Sequence, residues 1–385
     1  MRVVSSDWLT PREKGMTSYR VTDLVSGLPA TVPFVGPEAQ ERAQGRVFDA
    51  RIGANENMFG PSPAVIEAII QTAGDAWMYG DPELHELRHA IARHHEIPVE
   101  NVAIGEGIDG LLGYFSRIFI EPGDSVVTSA GAYPTFNYHV VGYGGKLESI
   151  PYRDDHEDIE GLLDRAADVK AKLLYLANPD NPMGTWWGAS AVDSMMSGIP
   201  EGAVLLLDEA YGEFADADTL PAFDIANENV LRFRTFSKAY GMAGIRVGYV
   251  VGHCALIGEL DKVRNHFGVG RVAQAAALAA LKDQVFLTNV IEQVRSARTR
   301  IVEIARENGL SSLDSAANFV AIDCGADGEF AMAVLKGLLR HGIFVRMPGI
   351  APLNRCIRIT AGKSPELDAF ARALPVALGE ARAAQ

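Results

Sequence analysis

Short apolar runs alternate with helical segments through the middle of this chain, and this alternation constrains its fold more than any other feature. Apolar runs of strand length lie at residues 102–104, 125–128, 172–176 and 203–207, with helical segments after the first two. Strands that alternate with helices indicate a largely parallel sheet covered on both faces. We therefore predict an α/β fold whose large domain has a mostly parallel central sheet flanked by helices.

The pattern changes near residue 285. A smaller αβ unit follows, with strands predicted at 319–322, 343–346 and 357–360 and helices at 286–307, 330–339 and 365–378. We expect an N-terminal arm at 1–50, a large domain at 51–285 and a small C-terminal α/β domain at 286–385. Prolines break any long element in the arm. The arm either lies over a surface, such as that of a neighbouring subunit, or is a disordered tail.

Charge and cysteine content narrow the classes of partner and compartment. The 385 residues include 49 acidic and 35 basic side chains, for a net charge of -14. This balance argues against nucleic acid or an anionic membrane as the main partner. The chain starts with no apolar signal core, and no apolar run is long enough to span a bilayer. Three widely spaced cysteines suggest neither a metal site nor a disulfide framework, so we expect a cytoplasmic protein.

One lysine lies in a small, mostly apolar and glycine-punctuated segment at residues 235–246. Burial lowers the pKa of a lysine, which suits Lys238 to forming a Schiff base with a carbonyl group. Thr235, Ser237 and Arg246 together supply groups that hold a phosphate. An aldehyde combined with a phosphate describes pyridoxal phosphate. On this segment alone, a lysine that reaches the surface beside a glycine-rich turn is an equally good interpretation.

Other polar residues fall at predicted strand ends, where open parallel sheets bind ligands. Gly107, Ile108 and Asp109 lie between a strand and a helix N-terminus, and free backbone N–H groups there attract a phosphate. A plain tight turn is the commoner explanation of those residues. Asp208 ends the most apolar strand, where a carboxylate needs a cation such as a protonated pyridine nitrogen. The alternative for Asp208 is a helix N-cap.

Three further residues suit the same ligand. Tyr211 and Asn181 are candidates to contact the ring's phenolic oxygen, and Tyr133 is a candidate to stack on the ring face. Core packing also explains the two tyrosines, and turn chemistry also explains Asn181. Together these segments supply a lysine, a phosphate cup, a partner for the ring nitrogen and donors for the phenolic oxygen.

Several motifs occur in combination between residues 51 and 362. They are Ala54-Asn55-Glu56-Asn57, Tyr79-Gly80-Asp81-Pro82, residues 178–184, Asp208-Glu209-Ala210-Tyr211, Ser237-Lys238 with Arg246, and Ile357-Arg358-Ile359-Thr360. With these motifs the chain resembles the fold-type I pyridoxal-phosphate-dependent aminotransferases, which have the aspartate aminotransferase-like fold. Within them it looks most like the histidinol-phosphate aminotransferase group.

The resemblance implies a role for each cofactor-binding residue. Lys238 would bind the cofactor and move protons between it and the substrate's α-carbon, and Asp208 would pair with the pyridine nitrogen. The phenolic oxygen and the ring face would be contacted by Asn181, Tyr211 and Tyr133. The phosphate would be held by the turn and lysine segments, through Gly107, Ile108, Asp109, Thr235, Ser237 and Arg246.

The resemblance also implies a homodimer with shared active sites. Tyr79 would reach the phosphate of the cofactor bound by the partner subunit. Arg358 would bind the substrate's anionic group, usually its α-carboxylate, and Arg346 would be a second anion contact. Asn57, in the motif at residues 54–57, is a third expected substrate contact. The partners are then small molecules, an amino donor and a 2-oxo acid acceptor.

The predicted reaction is a reversible transamination with ping-pong kinetics. One alternative uses the same scaffold to decarboxylate an amino acid or a phospho-amino acid. Another is a non-catalytic module that binds pyridoxal phosphate. A nucleotide-binding protein built on the turn at residues 105–110 is disfavoured, because that turn lacks the glycine spacing and the acidic residue of a dinucleotide site.

Two segments depart from the family pattern. Residues 265–270 read Asn-His-Phe-Gly-Val-Gly, where the family often has a Pro-aromatic-Asn-Val run. Gly80 replaces the proline that usually follows the motif tyrosine. We expect the first segment to lie near the active site, where it bears on substrate choice, and we expect arm residues 28–35 at the substrate mouth.

Overall fold

The computed structural model of the chain describes residues 20–29 and 35–384, so the expected arm at 1–19 and 30–34 lies outside it. The helices of the described ranges are α1 (Asp23–Gly27), α2 (Pro37–Gln44), α3 (Pro63–Ala73), α4 (His85–His95), α5 (Gly107–Phe119), α6 (Pro134–Gly142), α7 (Ile159–Val169), α8 (Ala189–Ser197), α9 (Cys254–Glu259), α10 (Arg271–Lys282), α11 (Gln284–Glu307), α12 (Gly328–Arg340) and α13 (Ser364–Ala383). The strands of the same ranges are β1 (Ala50–Arg51), β2 (Val102–Gly105), β3 (Ser125–Ser129), β4 (Lys146–Ile150), β5 (Leu173–Ala177), β6 (Val204–Asp208), β7 (Val230–Thr235), β8 (Gly248–Gly252), β9 (Ser311–Ser312), β10 (Phe319–Asp323), β11 (Ile343–Phe344) and β12 (Cys356–Thr360).

A seven-stranded sheet forms the centre of the described chain, with the order β2-β8-β7-β6-β5-β3-β4. The neighbouring pairs from β7 to β4 are parallel, whereas β8 is antiparallel to both β2 and β7. The loop at residues 236–247 joins β7 to β8 without a helix, so the chain turns back beside β7 instead of crossing a face of the sheet. The mostly parallel sheet predicted from the alternation of strands and helices is confirmed.

Strand β4 and helices α7 and α8 are elements that the sequence pattern did not reveal. Strand β4 lies at the edge of the sheet and has only half-buried and exposed residues. Its sequence, Lys-Leu-Glu-Ser-Ile, therefore lacks the continuous apolar run of the central strands. By contrast, all five residues of β6 are buried, which explains the apolar run that made this strand readable.

Separate apolar layers cover the two faces of the sheet. On one face, α5 and α6 contribute Phe115 and Phe136, which pack against residues of β5 and β7. On the other face, α7 and α8 contribute Leu162 and Met195, which pack against β3, β5 and β6. Successive residues of β6 belong to opposite layers, because side chains alternate across a strand. Helices on both faces follow from this double burial.

A smaller antiparallel sheet, with the order β12-β10-β9, lies in the C-terminal part of the chain. Strand β11 pairs in parallel with β1, so the segment just before the large sheet is hydrogen-bonded to the C-terminal part of the chain. One hydrophobic cluster contains Val65 and Phe236 together with Val290 and Phe370. The domain boundary near residue 285 stays a prediction. Among the described residues, no helix is long and apolar enough to cross a membrane.

The carboxyl ends of three adjacent strands meet at one edge of the large sheet. In the register of the sheet, Ala177 at the end of β5 pairs with Asp208 at the end of β6. Asp208 in turn pairs with Phe233, two residues before β7 ends at Thr235. The turn at residues 178–184, the loop after β6 and the segment that carries Lys238 therefore start side by side.

Candidate active site

A cavity of about 750 Å³ opens at this edge of the sheet. Most of the residues expected at the cofactor and the substrate line it, namely Ile108, Asp109, Tyr133, Asn181, Asp208, Tyr211, Thr235, Ser237, Lys238, Arg246, Arg346 and Arg358. The structure therefore brings together residues that are spread over about 250 positions of the sequence. Such convergence of polar groups in one concave site is typical of a binding or catalytic centre.

The amine of Lys238 lies inside this cavity. Its Nζ donates a hydrogen bond to the backbone oxygen of Asn55 at 3.1 Å and lies 5.6 Å from the centre of the Tyr211 ring. Burial, together with the positive charge of Arg358, lowers the pKa of Lys238 from its usual 10.5 to about 8. A substantial fraction of the amine is therefore neutral near physiological pH, as a nucleophile or a general base requires.

Asp208 is a buried carboxylate at the end of β6. One of its oxygens accepts a hydrogen bond from the Tyr175 hydroxyl at 2.7 Å, and the other accepts one from the Ala210 backbone N–H at 2.9 Å. Burial raises the pKa of Asp208 to about 6, although the hydrogen bond from Tyr175 opposes that shift. A buried acid with this pKa is suited to pair with a protonated ring nitrogen. The bond to Ala210 is a local turn contact and not a helix N-cap, because the next helical turn begins at Gly212.

Tyr211 and Asn181 each have a defined partner in the cavity wall. The Tyr211 hydroxyl accepts a hydrogen bond from Asn55 Nδ2 at 3.0 Å, and burial raises the pKa of Tyr211 to about 12. The hydroxyl therefore stays protonated and is able to donate to a ligand oxygen. The amide oxygen of Asn181 accepts a hydrogen bond from Arg358, so its amide nitrogen is the group able to donate to a ligand.

Arg246 is the centre of a cup beside the N-terminus of α5. Its guanidinium donates to the Ser237 hydroxyl at 3.2 Å and lies 3.5 Å from the Asp109 carboxylate. A Cβ on Gly107, whose φ is +81°, would lie 2.7 Å from the Arg246 guanidinium, so this position requires glycine. The hydroxyl of Thr235 accepts a hydrogen bond from the Ser237 N–H at 3.0 Å. The cup thus combines a cation, two hydroxyls and a helix N-terminus.

Tyr133 forms one wall of the cavity at the start of α6. Its hydroxyl donates a hydrogen bond to Asp109 at 2.8 Å, which links the aromatic ring to the first turn of α5. Burial raises the pKa of Tyr133 well above its usual value, and the Asp109 carboxylate raises it further. The phenol therefore remains neutral, and its ring is held rigidly in the cavity wall.

Two arginines lie next to each other in the cavity wall. Arg346 and Arg358 form an isolated β-bridge, in which the Arg358 N–H donates to the Arg346 carbonyl at 2.7 Å. Arg346 also donates a hydrogen bond to the backbone oxygen of Val35 at 3.3 Å. The N-terminal arm therefore reaches the cavity at Val35. Burial and the positive charge of Arg346 together lower the pKa of Arg358 to about 10. The pair forms a cationic site for an anion.

Three of the expected residues lie outside the lining of this cavity. Gly107 has no side chain, and this leaves room for the Arg246 guanidinium. Tyr79 is 77% exposed and packs on the ring of Phe267 at 4.7 Å. Asn57 does not face the cavity, contrary to the expectation that it contacts substrate. Its Nδ2 donates to the Ala239 carbonyl at 2.9 Å and its Oδ1 accepts from the Phe59 N–H, so this side chain braces the backbone that follows Lys238.

Sequence reasoning missed two residues of the site. Asn55 adopts a left-handed backbone (φ 57°), contacts both Lys238 and Tyr211, and is held by Thr360 at the end of β12. Asn55 belongs to the motif at residues 54–57, and this membership is the sequence signal that marks it as a candidate. Tyr175 is fully buried in β5 and had no signal beyond an aromatic residue in an apolar strand.

The side chains that line the cavity supply the groups that pyridoxal 5′-phosphate requires. Lys238 supplies an amine for an aldehyde, Asp208 supplies a buried acid for a pyridine nitrogen, and the Arg246 cup supplies donors for a phosphate. The Nε atom of Arg358 is buried and has no hydrogen-bond partner among the described residues, which indicates that a ligand completes its contacts. No group of three or more potential metal ligands occurs in the described part of the chain.

Comparison with known proteins agrees with this geometry. The model of the family described as aminotransferase class I and II matches residues 50–374. Histidinol-phosphate aminotransferase from Geobacillus sp. (strain WCH70) is 33% identical over 358 residues, which are 92% of this chain and 97% of that relative. Histidinol-phosphate aminotransferase 1 from Bacillus cereus (strain ATCC 14579) is 33% identical over 353 residues, covering 91% of this chain and 94% of the relative.

Solved structures show the same relationship. Histidinol-phosphate aminotransferase from Sinorhizobium meliloti, solved in complex with pyridoxal-5′-phosphate, is 52% identical, with a TM-score of 0.92 over 96% of this chain and 100% of that one. Aspartate aminotransferase from Thermus thermophilus with maleate is 23% identical, with a TM-score of 0.77 over 92% and 100% of the two chains, and shows the shared fold. The fold, the transaminase activity and the cofactor predicted from the sequence are confirmed. The chain belongs to the class I and II aminotransferase family and is a fold-type I aminotransferase that uses pyridoxal 5′-phosphate.

Proposed function

We propose that this aminotransferase moves an amino group from a small anionic amine of the histidinol-phosphate type to a 2-oxo acid. The adjacent cationic side chains of Arg346 and Arg358, which line the same cavity as Lys238, are the observation that supports this substrate class. Two guanidinium groups favour a phosphate or a carboxylate over a neutral group. The names of the similar proteins from Geobacillus and Sinorhizobium meliloti point to the same substrate class.

The proposed roles of the cofactor-binding residues follow from their contacts. Lys238 Nζ would hold the cofactor at its aldehyde carbon, and in its free form its lowered pKa would leave neutral amine available to take the proton from the substrate's α-carbon. Asp208 would orient the pyridine ring, and Tyr211 and Asn181 would donate to its phenolic oxygen. Arg246 and its neighbours hold the phosphate. When bound, pyridoxal 5′-phosphate supplies the electron-withdrawing group that makes the α-proton removable.

Substrate binding is assigned to the two arginines of the cavity wall, Arg346 and Arg358. We assign the carboxylate of the 2-oxo acid to Arg358, whose Nε lacks a partner among the described residues. Arg346, which lies beside it and contacts the arm at Val35, is assigned to the second anionic group of the substrate. One site then accepts both substrates of a ping-pong reaction, since each has at least one negative group to offer these arginines.

We further propose that two subunits share their active sites. Large apolar side chains on and after α3 are exposed in the single chain, at Ile66, Ile70, Trp77 and Tyr79. Exposed apolar groups of this size usually lie in protein interfaces. Tyr79 is then placed to contact the cofactor of the partner subunit. A cytoplasmic location is proposed from the three cysteines, which are all unpaired, two of them in the core.

Absorbance spectroscopy of the purified full-length protein tests the proposed reaction. The protein loaded with cofactor should be yellow, and adding histidinol phosphate should bleach this band as the amino group is transferred. Adding 2-oxoglutarate should then restore the band. Histidinol, which lacks the phosphate group, is the matched comparison and should bleach the band much more slowly. Equal rates for histidinol and histidinol phosphate would overturn the anionic-substrate assignment, and release of carbon dioxide from amino acids would identify a decarboxylase instead.

A further inference from the structure

Tyr175 of strand β5 lies in the wall of the cavity beside Asp208, and its side chain is fully buried. Its hydroxyl donates a hydrogen bond of 2.7 Å to the Asp208 oxygen that Ala210 does not contact. Its ring stacks on Phe136 of α6, with ring centres 4.8 Å apart and an angle of 16° between the planes. Packing on one side and a hydrogen bond on the other therefore fix this hydroxyl in place.

The register of the sheet explains how Tyr175 reaches this carboxylate. Ala177 pairs with Asp208 across β5 and β6, so their side chains leave the sheet on the same face. Tyr175 lies two residues before Ala177 and shares that face, which directs the long phenol diagonally toward Asp208. A shorter side chain at position 175 would not span the distance, and a phenylalanine would span it without a donor.

The surroundings of Asp208 make such a donor necessary. Burial acts against the charged form of this carboxylate, and the nearby acids Asp109 and Glu209 act in the same direction. Hydrogen bonds to the charged form oppose these effects, and the bond from Tyr175 is the largest opposing contribution. A neutral Asp208 would lose the charge with which it holds a protonated ring nitrogen.

We propose that Tyr175 is the positioning residue of the cofactor site, whose buried hydroxyl holds Asp208 charged and in the orientation that receives the pyridine nitrogen. Tyr175 acts on the cofactor through Asp208. The inference rests on the proposed pairing of Asp208 with the ring nitrogen. Its signature is an effect of the Tyr175 hydroxyl on cofactor binding that depends on the presence of that nitrogen.

Cofactor titration with two ligands tests this signature. The full-length protein is freed of cofactor and titrated with pyridoxal 5′-phosphate and with its 1-deaza analogue, in which a C–H group replaces the ring nitrogen. Wild-type protein should bind the natural cofactor more tightly. Tyr175→Phe should weaken binding of the natural cofactor about tenfold, since a hydrogen bond to a charged group has an effect of that order. Binding of the deaza analogue should stay unchanged.

Two outcomes separate a failure of this inference from a failure of its premise. If wild-type protein binds the two ligands equally well, Asp208 does not pair with the ring nitrogen and the premise is wrong. If wild-type protein discriminates and Tyr175→Phe discriminates to the same degree, the pairing stands and the role of Tyr175 is overturned. An equal loss for both ligands would mean that Tyr175 is only structural, which also overturns the inference.

Tyr152→Phe is the matched control. The Tyr152 hydroxyl also donates to a buried carboxylate, Asp180, at 2.8 Å, but that carboxylate belongs to the turn after β5. Its removal should leave the ratio of the two affinities as in wild-type protein. Should Tyr175→Phe fail to fold, Tyr175→Leu packs the same apolar site without a donor and must show the same loss of discrimination.

Discussion

At the scale of single residues, the site depends on how neighbouring groups change the properties of Lys238. This amine lies between the Asn55 carbonyl, which accepts its hydrogen bond, and the Arg358 cation, which opposes its charge. The backbone position of the motif at residues 54–57 therefore matters as much as the lysine itself. Asn suits this position, because it tolerates a left-handed backbone and its side chain reaches Tyr211.

The lowered pKa of Lys238 predicts that the lysine destabilises the protein before cofactor binds. Lys238→Met should raise the free energy of unfolding of cofactor-free protein at pH 7 by about 2 kcal/mol, because a partly buried charge disappears. The full lowering of the Lys238 pKa corresponds to ~3 kcal/mol. The expected value is smaller because water in the cavity screens the charge of the amine. Unfolding in urea, followed by fluorescence, measures it.

The pH dependence of the Lys238→Met effect provides the control. The folded-state pKa of Lys238, about 8, is lower than its usual 10.5, so the unfolded chain binds more protons between these values. The gain from Lys238→Met should be full below pH 8 and should vanish as the pH rises to about 10.5. A gain that stays constant over this range would mean that the amine is not desolvated.

At the scale of elements, the parallel strands β6 and β7 are joined by buried ion pairs as well as by their backbone ladder. Glu209, fully buried just after β6, contacts Arg232 at 2.6 Å and Arg234 at 2.7 Å, and both arginines belong to β7. Burial alone would raise the pKa of Glu209, but the two arginines lower it below its usual value. This network lies next to Asp208, so it fixes the strand ends that carry the site.

Removal of this carboxylate charge should therefore be costly. Glu209→Gln should lower the free energy of unfolding by about 3 to 5 kcal/mol at pH 7, because two buried cations lose their counter-charge. Since the folded-state pKa of Glu209 is lowered, its contribution is present above its usual pKa and lost as the pH falls through the folded value. Urea unfolding at pH 7 and in acid measures both effects.

Glu259→Gln is the control for that experiment. Glu259 pairs with Lys262 at 2.5 Å on the surface, where both side chains are exposed. Removing such a pair should leave the unfolding curve unchanged. If Glu209→Gln behaves like this surface variant, the buried network does not stabilise the junction of β6 and β7.

At the scale of the whole molecule, each chain has its own cofactor cavity and also exposes Tyr79, the residue that we expect to complete the cavity of a partner subunit. Tyr79 lies far out on the surface at 77% exposure, and Trp77 nearby is 81% exposed. Arg271 donates to the Tyr79 backbone oxygen at 2.9 Å, and Phe267 packs on its ring. The divergent segment at residues 265–270 thus supports this exposed tyrosine.

Mixing two variants tests whether active sites are shared. Lys238→Ala and Tyr79→Ala should each lose most activity alone. When the two are unfolded together and refolded, about half of the dimers should be hybrids with one intact site of two. Activity should then recover to about one quarter of the wild-type value. Activity that stays at the average of the two parent variants would show that Tyr79 does not serve the partner subunit.

Sequence patterns were sufficient to predict the fold class and the cofactor, and they named candidate cofactor contacts that stay predictions. Helical periodicity and apolar runs are local patterns, and they predicted the mostly parallel sheet and the strand that ends at Asp208. The chemical roles of Lys238, Asp208 and Arg246 are predicted from their residue types and from the motifs in which they occur. For this reason the cofactor could be predicted without coordinates. The edge strand β4 could not, because its half-exposed side chains give no apolar run.

Which side chains meet depends on how the folded chain brings distant segments together. Asn55 and Asn57 are two residues apart in the same motif, but the Asn55 side chain contacts the Tyr211 hydroxyl and the Asn57 side chain contacts the Ala239 carbonyl. Tyr175 is an ordinary buried aromatic in the sequence and becomes the partner of Asp208 through the register of β5 and β6. Contacts of this kind depend on how strands pair across the sheet, and the residues next to Tyr175 in the sequence do not indicate that pairing.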